Sequence, residues 1–198
     1  MARPRTFDED RALDAAMRTF WEKGYEATST QDLCDATGLG RSSIYNTFTS
    51  KHDLFERALI RYIELMTGRQ RRILERPGRS GGERIADLLA EVVDGETEHR
   101  AGGRGMGCLT VNTTIGMAGR DPGTAAVLAR DLAVRLALLR AALEDGRRDG
   151  SVTTAQDAGA QARFVNAAIA GIRVAGQGGA DRAALESVAE VALAALAP

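Results

Sequence analysis

"ATSTQDLCDATGLGRSSIYNTFTSKHDLF", residues 27–55, holds three helix starts with one glycine turn between the first two. Thr28, Ser29 and Thr30 each offer a hydroxyl for an N-cap, and Ser29 with Asp32 three residues on matches a capping box. Leu33, Cys34 and Ala36 are the inward positions, and Gly38 ends the helix after about two turns. Leu39, between Gly38 and Gly40, is an apolar plug. Ile44 and Phe48, four apart, turn back onto the preceding helices. That geometry leaves Arg41, Ser42, Ser43, Tyr45, Asn46 and Thr47 facing outward, where phosphates or base edges would lie. A tyrosine there offers a flat apolar face and a hydroxyl. Short helix, glycine turn and second short helix make the helix-turn-helix pattern. Ser50 caps the next helix. Lys51 stands at its amino end, where the helix dipole disfavours a cation and a nearby phosphate would explain one.

Upstream, Leu13, Ala16, Met17, Phe20 and Trp21 form one helical stripe over Asp8–Lys23. Asp8, Glu9 and Asp10 crowd its first turn, and Gly24 follows as a left-handed cap. The chain of 198 residues is long enough for a substantial core and has an ordinary soluble composition, 44% hydrophobic and 27% charged. Its net charge is −1, so any DNA-binding surface must be a local arrangement. Residues 1–52 carry seven Lys+Arg, Arg3 and Arg5 among them, against eight Asp+Glu, which puts the weight on placement. Cys34 and Cys108 lie far apart, so neither a disulfide framework nor a zinc site is expected. Cys34 reads as a small buried hydrophobe, and His52 and His99 read as isolated surface residues. No apolar run approaches a membrane span, and no apolar leader segment stands at the start. A cytoplasmic protein with no cofactor is therefore expected. No Ser/His/Asp, Cys/His or paired-carboxylate set stands out, so an enzyme is not expected.

The run "TFWEKGYEATSTQDLCDATGLGRSSIYNTFTSKHDLFERAL" resembles the DNA-binding domain of the tetracycline-repressor (TetR/AcrR) family of bacterial transcriptional regulators. The likeness runs from about Phe7 to Leu59. It rests on the co-spaced Phe-x-x-x-Gly-Tyr, the following Thr, the glycine turn, the Tyr-x-x-Phe and the Ser-Lys-x-x-Leu. The resemblance implies an all-α dimer with a helix-turn-helix domain over residues 1–52. A helical ligand-binding and dimerisation domain over 53–198 would follow. It places Thr28, Ser29, Arg41, Ser42, Ser43, Tyr45, Asn46 and Lys51 where family members touch a palindromic operator.

Beyond the motif the chain reads as further helices. A long one from Asp53 to about Glu75 should join the two domains, with Gly68 a point where it could bend and "RPGRSGG" a flexible link after it. "CLTVNTTIGMAG" alternates like a strand, yet no partner strand is visible. The family pattern makes it a helix lining the ligand cavity. On such a helix Cys108, Val111, Asn112 and Ile115 share a face, which suits a pocket for a small-molecule effector. A core helix with Asn112 satisfied by backbone is the other reading. Apolar stripes over 155–174 and 181–196, including Ile169 and Leu185, match the pair of helices with which this family commonly dimerises. The implied function is a transcriptional repressor released from DNA by a small ligand. The alternative is a redox- or electrophile-sensing repressor acting through Cys108. That residue begins a helix after "GGRGMG", where the helix dipole and the nearby Arg104 would favour thiolate.

Overall fold

A computed structural model describes residues 8–101 and 106–197, so Arg3, Arg5, Phe7 and Arg104 lie outside the described residues. Within them the fold is all-α: α1 (Glu9–Lys23), α2 (Thr30–Thr37), α3 (Arg41–Thr47), α4 (Lys51–Leu74), α5 (Gly81–Ala101), α6 (Leu109–Gly116), α7 (Pro122–Asp149), α8 (Ala158–Gln177) and α9 (Arg182–Ala194). No helix among the described residues is long and apolar enough to cross a membrane.

Local chemistry sets the boundaries. The Asp8 carboxylate caps α1, whose end is closed by Gly24 at φ 79° with its N–H on the Phe20 carbonyl. The Ser29–Asp32 capping box is complete, and Gly38 takes the left-handed conformation that ends α2. The alternating stretch is the helix α6, with Cys108 as its N-cap. Its β-branched residues fit because the Thr113 and Thr114 hydroxyls donate back to the Leu109 and Thr110 carbonyls, each at 2.7 Å.

Two apolar cores form. Around the first motif, Phe20, Leu33, Ile44, Phe48, Leu54, Phe55, Leu59 and Tyr62 are each at most 1% exposed. Phe20 meets Phe55 edge-on at 5.1 Å. This core continues into Cys108, Leu109 and Leu128, so the first three turns of α4 pack as one body with α1–α3. The second core joins α5, α7, α8 and α9 through residues such as Ile85, Leu139, Val165, Ile172 and Leu185. There α5 and α7 approach so closely that a Cβ on Gly81 would lie 2.2 Å from the Gly146 nitrogen. The segment expected to be a flexible link is tied down instead. Arg79 pairs with Asp87 at 2.8 Å, and Arg84 donates to the Leu74 carbonyl at 2.8 Å.

Candidate functional site

The outward face of α3 carries Arg41, Ser42 and Asn46 exposed, Ser43 half-buried and Tyr45 38% exposed. Tyr45 does not project freely: its hydroxyl lies 2.9 Å from the Thr30 hydroxyl, which fixes the ring across the α2–α3 turn. Ser29 is exposed, but its hydroxyl donates to the Asp32 carboxylate. Lys23 donates to the same carboxylate, and with Ser29 it holds Asp32 well below the ordinary carboxylate range. Thr28 departs from expectation. It is 1% exposed and donates to the Gly24 carbonyl at 2.6 Å, so its side chain closes the α1–α2 corner and does not reach the outer face. Lys51 is half-buried with its ammonium 4.5 Å from the centre of the Tyr25 ring. That aromatic face supplies part of the attraction the helix dipole denies the lysine.

Beside this head, between α1, α4, α5 and α8, lies a cavity of about 310 Å³ whose lining includes Trp21, Tyr62, Gln70, Glu96, His99 and Arg173. Trp21 meets Tyr62 edge-on at 4.9 Å and His99 edge-on at 5.2 Å, and its indole N–H donates to the Gly107 carbonyl at 3.0 Å. Glu96 is 5% exposed; burial pushes its carboxyl up, and Arg173 opposes that. His99 is not a surface residue: burial and Arg173 both push its pKa down, and its buried Nδ1 has no partner among the described residues. Tyr62 and Arg173 also line a smaller cavity of about 20 Å³ together with Cys108, Thr110 and Val111. There the Cys108 sulfur receives the Tyr62 hydroxyl at 3.5 Å and lies 3.0 Å from the Thr110 hydroxyl. Burial pushes this thiol up. The Arg173 guanidinium, with hydrogen bonds from Thr110, Tyr62 and the Val111 amide, outweighs it and holds the thiol below its ordinary value.

The bacterial regulatory protein model of the tetR family matches residues 12–58, which take in most of α1, all of α2 and α3, and the start of α4. The HTH-type transcriptional repressor ComR of Escherichia coli K12 is 31% identical over 191 residues, covering 96% of this chain and 90% of ComR. The chain belongs to the tetR family. The HTH-type regulator YezE of Bacillus subtilis 168 is 34% identical over 84% of each chain. A cysteine mutant of the TetR family regulator CifR, solved with 26 bp of double-strand operator DNA, is 30% identical. That similarity covers 98% of this chain and all of the CifR chain, with a TM-score of 0.85. The chain is thus a helix-turn-helix transcriptional regulator by family.

In this tetR-family chain the four residues expected to share a ligand-facing surface are dispersed. Cys108 and Val111 face the small cavity. Asn112 lines a separate recess beside Phe20 and Tyr25, and its amide donates to the Met106 carbonyl at 3.1 Å, so it is satisfied by backbone. Ile115 is 78% exposed and lines neither cavity. The reason is that α6 lies against α4 and α7 along one edge, not across the cavity. Sequence reading missed Trp21, Tyr62, Glu96, His99 and Arg173. The first two sat in stripes that read as core. The one available signal was a lone Glu and a lone Arg on otherwise apolar helix faces. Cys34 is half-buried, less enclosed than expected.

Proposed function

We propose that the chain is a homodimeric repressor that binds a palindromic operator through α2 and α3. A small effector entering the Trp21–Glu96–Arg173 cavity would release it. In this reading the division of labour follows the expected domains, 1–52 for DNA and 53–198 for effector and dimerisation, with α4 serving both, and the chain carries out no turnover. One observation carries the proposal: Tyr62, Met66 and Gln70 of α4 form a wall of the cavity, and the same helix begins at Lys51, directly after α3. A helix of 24 residues is about 36 Å long and moves as a rod. Displacement at its cavity end therefore shifts the recognition helices, which in a dimer must enter major grooves about 34–36 Å apart. The repressor ComR and the operator-bound CifR support the DNA half of the reading. The test begins with selection of bound fragments from genomic DNA. Metabolites are then titrated while fluorescence is followed from Trp21, the chain's single tryptophan and a cavity wall. An effector should perturb that emission and dissociate the operator over the same concentration range. Effectors that release DNA without touching Trp21 emission would move the input elsewhere.

A second reading has its own observation, the Cys108 thiol held by Tyr62 and Thr110 beside Arg173. Thiolate character is what makes a cysteine reactive toward oxidants and electrophiles. Under it, peroxide or an alkylating electrophile releases the operator from the parent and not from Cys108→Ser.

A further inference from the structure

We propose that His52, Glu56 and Asp121 form a binding site for a divalent transition-metal ion at the joint between the helix-turn-helix and the helical body. His52 and Glu56 stand four apart on α4 and so share a face. Asp121 comes from the other side as the N-cap of α7. One donor atom from each lies within 4.8 Å of the others. Donors bound at about 2.0–2.2 Å sit up to roughly 4.4 Å apart on a common ion, so small side-chain rotations complete the site.

The three side chains are arranged for that task. The Asp121 carboxylate splits its duties: Oδ1 accepts the Thr124 amide at 3.0 Å, which fixes the group, and Oδ2 faces the His52 Nε2. Metal-binding carboxylates are characteristically held in this way by an outer hydrogen bond. Glu56 makes no hydrogen bond or ion pair among the described residues. Its Oε1 rests against the backbone of α7, where a Cβ on Gly123 would come within 2.9 Å of it. Lys51, the cation next to His52, is drawn off to the Tyr25 ring. All three donors are half-buried, which leaves coordination positions open to water.

The donor set selects the ion. Two carboxylates neutralise a dication, and a neutral imidazole favours Zn²⁺, Co²⁺, Ni²⁺ or Cu²⁺ over the all-oxygen preference of Ca²⁺ and Mg²⁺. With no thiolate in the set, soft monovalent ions are disfavoured. Because the donors span α4 and α7, the ion would clamp the DNA-binding head to the body.

The test uses the full chain stripped with a chelator and titrated with ZnCl₂ against a chromophoric competitor. CoCl₂ serves as a spectroscopic probe. One ion per chain and a cobalt ligand-field spectrum are expected. His52→Gln, Glu56→Gln and Asp121→Asn should each weaken Zn²⁺ by at least the roughly ten- to hundredfold that loss of an outer hydrogen-bond partner costs. Asn still caps a helix, so Asp121→Asn keeps α7, and circular dichroism verifies the fold of all three. A Cys34→Ser/Cys108→Ser double variant should bind as the parent does. The proposal is overturned if the three variants keep parent affinity, or if the cysteine variant loses it. Failure of the parent to saturate at millimolar Zn²⁺ also overturns it and leaves His52–Asp121 as an ion pair alone. No DNA enters the titration, so the result is independent of the operator reading.

Discussion

Tyr62 donates its hydroxyl to the sulfur of Cys108 at 3.5 Å, which joins the middle of α4 to the cap of α6. The contact couples the thiol's ionisation to two cavity residues. Arg173 is the leading influence that lowers the thiol against the burial that raises it, and Tyr62 adds a hydrogen bond. In a Cys34→Ser background, the midpoint of the alkylation rate against pH should therefore rise in Arg173→Gln and, by less, in Tyr62→Phe. Unchanged midpoints in both would remove the guanidinium and the phenol from the thiol's control.

The exposed face of α3 and the buried corner of α2 should respond differently to substitution. Arg41→Ala should lose about 1–3 kcal/mol of operator affinity, as for a side chain that reads a base edge. Lys51→Ala should weaken every duplex and flatten the salt slope by about one unit, as for a phosphate contact. Thr28→Val should leave the operator affinity of the folded protein intact. It removes the donor to the Gly24 carbonyl and should cost about 1–3 kcal/mol of stability in urea titration. A Thr28→Val protein of parent stability with weakened DNA binding would put Thr28 back on the DNA face.

How much could be read beforehand depended on the range of the interactions. The caps at Ser29 and Gly38 and the turn around Leu39 are local, so spacing alone located them. The Ile44–Phe48 face followed from helical period and is buried as read. The cavity is different. Glu96 and Arg173 lie far apart in sequence on α5 and α8, and only the packing of the two helices brings them together. Ile115 failed for a related reason: periodicity gives the residues that share a helix face, not which neighbour covers it. Thr28 shows the same limit at short range, since an outward hydroxyl and one bonded four residues back carry the same sequence signature.

Asp121 gives a pH dependence with a defined sign. The His52 partner and the Thr124 amide hold its carboxyl down at about 2, below the ordinary 3.8. A carboxyl with a lowered folded value adds stability that is complete above its unfolded pKa and is lost as pH falls through the folded one. The advantage of the parent over Asp121→Asn in urea midpoint should shrink as pH falls from about 5 toward 2. An advantage that grew with acid would contradict the pairing.

The dimer interface can be located by which apolar residues the protomer leaves uncovered. Ile169 and Leu185, expected at the interface, are 3% and 1% exposed within one chain, so they belong to its own core. A second stripe on each helix faces out. On α8 it is Phe164, Ala167, Gly171 and Val174; on α9 it is Ala184, Val188, Val191 and Ala195. Phe164 is 45%, Val174 49% and Val191 68% exposed, and both stripes are free of charge along their length. Two exposed apolar stripes on neighbouring helices mark an association surface. The small residues at Ala167 and Gly171 allow helices from two protomers to approach closely, and a Cβ on Gly171 meets nothing within 4 Å in the protomer. Phe164→Glu with Val191→Glu should therefore give folded monomers in size exclusion with light scattering, with the parent's helical circular dichroism. Ile169→Glu or Leu185→Glu should instead unfold the body, because each buries a charge without a partner. If the Phe164/Val191 variant stays dimeric, the interface lies off α8 and α9. If Ile169→Glu gives a folded monomer, the inward assignment of that stripe is wrong.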